Sequence, residues 1–137
     1  MIMRLFLDSC VIIYWVEAKE PYYSSFITKL SNINDDYPNA RIVVSRLSLL
    51  ECFVLPLREK NKSTYKLYQD FFSNPDIEII ELDAKVVEVA TQLRADYHLK
   101  TPDAIQAASA FSLHGKMRFI TNDKRFKAVP NLNIISI

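Results

Sequence analysis

The sequence predicts an α/β fold in which a parallel sheet is covered by helices on both faces. Three observations lead there. Short strand-like runs alternate along the chain with segments of helical periodicity. Those strand-like runs are almost wholly apolar, as strands buried on both faces are. The chain has 137 residues, half of them hydrophobic. That is enough for one domain, residues 1–137, burying about two thirds of its unfolded surface.

Arg4 to Leu7 reads as the first strand, followed by a helix from Ser9 to Val16. Pro21 opens a second helix to about Ser31, with Tyr22, Phe26, Ile27 and Leu30 on one side. The polar segment NDDYPN then forms a loop leading to a strand from Ile42 to Val44. Ser45 is placed to cap a helix whose Leu47, Leu50, Val54 and Leu57 recur at helical spacing. The basic loop REKNK precedes a helix capped by Ser63 and ending near Phe72. After the turn Asn74-Pro75-Asp76 comes a strand, Glu78 to Leu82. Asp83 caps a helix with Val86, Val89, Ala90, Leu93 and Tyr97 on one stripe. Thr101-Pro102 starts an Ala-rich helix to about Leu113, with Pro at a first-turn position. Strands from Arg118 to Thr121 and Asn133 to Ile135 complete the set.

Composition excludes several chemistries. A single glycine, Gly115, is too few for a dinucleotide fingerprint, a phosphate-binding P-loop or a nucleophile elbow. His98 and His114 do not form a zinc-protease pair, and no Cys/His spacing suits zinc. Cys10 and Cys52 lie in apolar sequence surroundings and are expected to pack as free thiols. The opening lacks a signal-peptide pattern, and no apolar run approaches the roughly 20 residues that span a bilayer. A cytoplasmic location away from the membrane is the expectation. A net charge of +1 gives no global field for nucleic acid, so such binding must rest on local patches. Carboxylates remain as the chemical currency.

Ligands of open α/β sheets sit beyond the carboxyl ends of the strands. Asp8 follows the first strand directly, and Asp123 follows the strand ending FIT. Asp103 lies in the first turn of the helix opened by Thr101-Pro102. Glu51 lies on or beside the apolar stripe of its helix, so its carboxylate needs a partner. Each acid alone has a plain structural explanation. Asp8 can cap the next helix, Asp103 can oppose a helix dipole, and Asp123 can make an Asx turn. Glu51 can pair with Arg46 or Arg58. Together they differ: at about 5 Å and an effective dielectric near 20, each pair repels by roughly 3 kcal/mol. Six such pairs amount to on the order of 20 kcal/mol, so the cluster takes up protons or holds cations. Oxygen donors select hard ions, Mg²⁺ or Mn²⁺.

The segments LFLDS, SLLECF, TPDAIQAASA and ITNDKRF, in this order across the chain, resemble the four acidic motifs of PIN-domain ribonucleases. Among these the chain most resembles the VapC-type toxins of bacterial toxin–antitoxin pairs. The resemblance implies a three-layer α/β/α sandwich and Mg²⁺- or Mn²⁺-dependent endonucleolytic cleavage of RNA to 3′-hydroxyl and 5′-phosphate ends. It assigns Asp8, Glu51, Asp103 and Asp123 as catalytic, metal-binding acids. Ser9 and Thr121 match the family's hydroxyl residues, which can orient a carboxylate. Cys10 departs from the pattern, standing where the family often has Asn.

The resemblance also implies a homodimer and a cognate antitoxin protein, with the first two helices, including Trp15 and Phe26, as a candidate groove. RNA needs cationic contacts. Lys124 and Arg125 adjoin the fourth acid; Arg58, Lys60, Lys62, Lys66 and Lys100 are further candidates. Tyr14, Trp15, Tyr22 and Tyr23 could stack on bases, though a core or interface is the better reading for such spacing. A receiver domain needs a second acid beside Asp8, and a haloacid-dehalogenase-type phosphatase needs Asp at position 10; neither is present. The alternative that stands is a non-catalytic PIN-like module that binds RNA or protein.

Overall fold

A computed structural model describes residues 2–137. Its elements are β1 (Arg4–Leu7), α1 (Ser9–Val16), α2 (Tyr22–Asp36), β2 (Arg41–Ser45), α3 (Leu47–Arg58) and α4 (Lys62–Ser73). Then follow β3 (Ile77–Ile80), α5 (Ala84–Tyr97), α6 (Thr101–Phe111), β4 (Met117–Thr121), a 3₁₀ turn (Lys124–Ala128) and β5 (Ile134–Ser136). The five strands form one sheet in the order β3-β2-β1-β4-β5, every pairing parallel. No helix among the described residues is long and apolar enough to cross a membrane.

The pleat sorts the core into two layers. Phe6, Val43 and Phe119 face α5 and α6, where Val86, Ala90, Ala104 and Ala107 pack against them. Leu5, Leu7, Val44 and Ile120 face the other way, against Val11 and Ile12 of α1, Phe26 of α2 and Tyr68 of α4. The expected three-layer α/β/α sandwich is therefore what forms. Phe6 and Phe119 sit opposite each other in register and stack at 5.4 Å, with Phe126 against Phe119 at 4.7 Å. Phe126 is fully buried, so it anchors the segment that carries Asp123.

Several sequence expectations are corrected. The face of α3 turned inward carries Ser48, Cys52 and Pro56, whereas Leu50 and Leu57 are 64% and 61% exposed and Val54 is exposed too. Arg46, not Ser45, is the cap residue of α3, although the Ser45 hydroxyl still accepts from the Leu47 N–H at 3.1 Å. The cap of α4 is Asn61, whose side chain accepts from the Thr64 N–H at 3.1 Å; Ser63 donates to Asn61 instead. Helix α2 runs on to Asp36 and stops before Tyr37-Pro38, where proline disfavours the helical state of the residue ahead of it. Helix α6 ends at Phe111, with Pro102 its second residue. Phe26 is fully buried, and Trp15 packs on it and on Phe71 at 5.2 and 5.5 Å. Phe26 thus belongs to the core, whereas Trp15 is part-buried against it. The Asp83 cap stands, accepting from the Val86 N–H at 2.9 Å.

Candidate active site

In this strand order the chain reverses direction across the sheet between β1 and β4, and a crevice opens at their carboxyl ends. Leu7 pairs with Ile120, which brings the following residues, Asp8 and Thr121, side by side. The Asp8 N–H donates to the Ile120 carbonyl at 3.1 Å, so the ladder itself fixes where Asp8 leaves the sheet. A cleft of about 540 Å³ lies there, lined by Asp8, Glu51, Asp103 and Asp123 together with Tyr14 and Asn122. Four separate segments thus bring all four acids to one cleft.

Asp8 is the most enclosed, at 8% exposure. It caps α1, and its Oδ1 accepts from the Ser9 N–H at 2.8 Å. Its Oδ2 accepts from the Thr121 hydroxyl at 2.8 Å and from the Cys10 thiol at 3.4 Å. Burial outweighs these donors and raises its pKa to about 6. Cys10 packs against the apolar layer as a free thiol, as expected, and in addition faces the Asp8 carboxylate. Burial and the Asp8 charge push its thiol up to about 12, which keeps it protonated and able to donate. Cys52 packs in the apolar layer as expected.

Glu51 meets neither of its expected arginines. Arg46 is bound bidentately by Glu81, at 2.7 and 2.5 Å. The Glu51 Oε1 instead accepts from the Ser9 hydroxyl at 2.8 Å and from the Gln106 amide at 3.2 Å. Ser48 joins them: its hydroxyl is 2.8 Å from that of Ser9 and 3.0 Å from the Gln106 amide nitrogen. Oε2 has no hydrogen bond or ion pair among the described residues. Ser48 and Gln106 were missed from the sequence. Their signal was spacing: Ser48 lies three residues before Glu51 and Gln106 three after Asp103, each on the face of the acid it accompanies.

Asp103 and Asp123 share Arg125. The guanidinium makes contacts of 2.6 to 3.0 Å with both oxygens of Asp123 and lies 3.6 Å from Asp103. Asp123 also makes the expected Asx turn, its Oδ1 accepting from the Arg125 N–H at 2.9 Å, while its own N–H donates to Thr121. Hydrogen bonding from Arg125 holds Asp123 below the ordinary carboxylate range. Burial holds Asp103 above it, assisted by the charges of Asp123 and Glu51 against that of Arg125. Lys124 lines the same cleft without an ion pair among the described residues. Lys66 is paired with Asp70 at 2.8 Å.

The donor set, carboxylate oxygens without imidazole, has the chemistry of a hard divalent cation site. Glu51 Oε2 and the oxygens of Asp103 are the ones least committed to protein donors. Among the described residues no three His, Cys, Asp or Glu side chains stand close enough to enclose one ion.

A family model described as PIN domain matches residues 5–132. A comparison with curated proteins gives no match. Among solved structures, the chain is similar to one in a VapBC2 crystal structure from Rickettsia felis bound to a promoter DNA fragment. The two share 21% identity and a TM-score of 0.74, covering 98% of each chain. A toxin–antitoxin complex from Klebsiella pneumoniae matches at 19% identity and a TM-score of 0.67 over 96% of each chain. VapBC-1 from nontypeable Haemophilus influenzae matches at 17% and 0.66, over 99% of this chain and 98% of that one. With the family model spanning nearly its whole length, the chain belongs to the PIN domain family.

Proposed function

We propose that this PIN domain is a divalent-cation-dependent endoribonuclease and the toxin of a toxin–antitoxin pair, hydrolysing RNA phosphodiester bonds with Mg²⁺ or Mn²⁺. The observation that carries the reading is the convergence of Asp8, Glu51, Asp103 and Asp123 on one cleft at the carboxyl ends of β1 and β4. A cation bound there supplies a Lewis acid for the phosphate and makes water a stronger acid.

The chain's own residues do the rest. Thr121, Cys10 and the Ser9 N–H fix both oxygens of Asp8. Ser9 and Gln106 hold one oxygen of Glu51 and leave the other directed by that grip. Lys124 offers a charge for an incoming phosphate, and Arg125 can exchange its carboxylates for phosphate as the acids take up a cation. The fold shared with toxin–antitoxin structures supports an antitoxin partner. The exposed Leu50, Leu55 and Leu57 of α3 and Leu67 of α4 support protein contact, a second copy of the chain included.

One observation favours a non-catalytic binding module: Arg125 already neutralises part of the acidic cluster. Purified protein incubated with total RNA separates the two. The nuclease reading expects discrete fragments with Mg²⁺ or Mn²⁺, and none with EDTA or with Asp103→Ala. RNA left intact in every condition, by folded protein, would support the binding module.

A further inference from the structure

We propose that Gln106 is a positioning residue for Glu51: its amide grips one carboxylate oxygen and leaves the other open toward the cleft for a divalent cation. The inference rests on the nuclease reading of that cleft and extends it to a residue outside the four acids.

Gln106 lies on α6 three residues after Asp103, so one helix face carries an acid and the support of a second acid. Its side chain is 1% exposed. Nε2 lies 3.0 Å from the hydroxyls of both Ser9 and Ser48 and 3.2 Å from Glu51 Oε1. A turned amide would set its carbonyl against the Glu51 oxygen, acceptor facing acceptor. Glu51 thus favours the nitrogen facing it, and this leaves Gln106 Oε1 buried with no protein partner among the described residues.

A buried carbonyl without a donor is destabilising and rare in folded proteins. A Met or Leu at this site would fill similar space between α1, α3 and α6 without that defect. Gln106 therefore supplies what packing does not need, an N–H aimed at Glu51. With Ser9 on the same oxygen, two donors orient the carboxylate and leave Oε2 without a protein partner among the described residues. Partners of this kind, standing behind a ligand, typically govern metal affinity by about 10–100-fold.

The test is Mn²⁺ affinity of the RNA-free protein, read by titration, beside thermal unfolding in EDTA. Gln106→Met is expected to bind Mn²⁺ about 10–100-fold more weakly, with an unfolding temperature in EDTA equal to or above that of the wild type. Ser48→Ala, which keeps the Gln106–Glu51 bond, is expected to stay within a few-fold of wild-type affinity. Unchanged Mn²⁺ affinity in Gln106→Met overturns the proposal. So does a lowered unfolding temperature or failure to fold, either of which marks a structural role. A wild type that binds no Mn²⁺ overturns the nuclease reading as well, whereas the other failures remove the role of Gln106 alone.

Discussion

The Thr121 hydroxyl donates to Asp8 Oδ2 at 2.8 Å and accepts from the Asp123 N–H at 2.9 Å, so one side chain ties the acids at the ends of two adjacent strands. Thr121 is 1% exposed, and no solvent replaces these bonds. Thr121→Val keeps the shape and removes both. Cleavage is expected to fall about 10–100-fold, as for other residues that orient metal ligands. Stability is expected to drop by about 1–3 kcal/mol, because the buried Asp8 Oδ2 loses a donor and the part-buried Asp123 N–H its acceptor. Initial rates and urea unfolding of the same preparations check the two effects separately.

Asp8 makes a prediction about pH. Its folded pKa, about 6, lies above the ordinary 3.8 because burial disfavours the charge. A group raised in this way favours the fold while protonated. Its contribution is complete below about pH 4 and is lost as pH rises through about 6. The full difference is on the order of 3 kcal/mol. Cation-free protein should therefore lose stability from pH 4 to 7. Asp8→Asn should flatten that fall while abolishing cleavage. Chemical unfolding in EDTA across this range reads it; an identical pH profile for wild type and Asp8→Asn would reject the account of Asp8.

Cations should reverse the same trend. Mn²⁺ or Mg²⁺ favours ionised carboxylates and competes with protons at Asp8 and at Asp103, which burial also holds up. Thermal unfolding should shift upward with added cation, more at pH 7.5 than at pH 5, and return with EDTA. At a hundredfold excess over Kd the stabilisation is about 2.7 kcal/mol. A shift independent of pH would place the ion elsewhere.

Arg125 binds Asp123 and Asp103 as an internal cation. On the proposed function, Arg125→Gln would remove a competitor for the divalent ion and a contact for phosphate. Mn²⁺ should bind more tightly without RNA, while KM for RNA rises. Titration and steady-state kinetics give the two signs; weaker Mn²⁺ binding would contradict the competition.

Much of this was legible in the sequence. The apolar runs at Leu5–Leu7 and Phe119–Ile120 are buried central strands, and the rule that ligands sit at carboxyl strand ends picked out Asp8 and Asp123. What was not legible came from close packing. Hydrophobic spacing on α3 chose the face of Leu50 and Leu57, but the face turned inward is lined by Ser48, Cys52 and Pro56. Hydropathy does not register such a face, because Ser48 is buried by its hydrogen bonds rather than by its apolar area. For the same reason the Ala-rich pattern of its helix did not single out Gln106, which is set among buried alanines. Glu51 also looked in want of an arginine, when it is held by neutral donors from α1 and α6.

The central claim is that four carboxylates from four segments form one cation-dependent nuclease site. The most direct measurement is cleavage of a single RNA in Mn²⁺ by Asp8→Asn, Glu51→Gln, Asp103→Asn and Asp123→Asn, each confirmed folded. The account predicts that the wild type cleaves and all four variants fall to background. A variant at full wild-type rate would remove that acid from the site, and four active variants would place the chemistry outside this cleft.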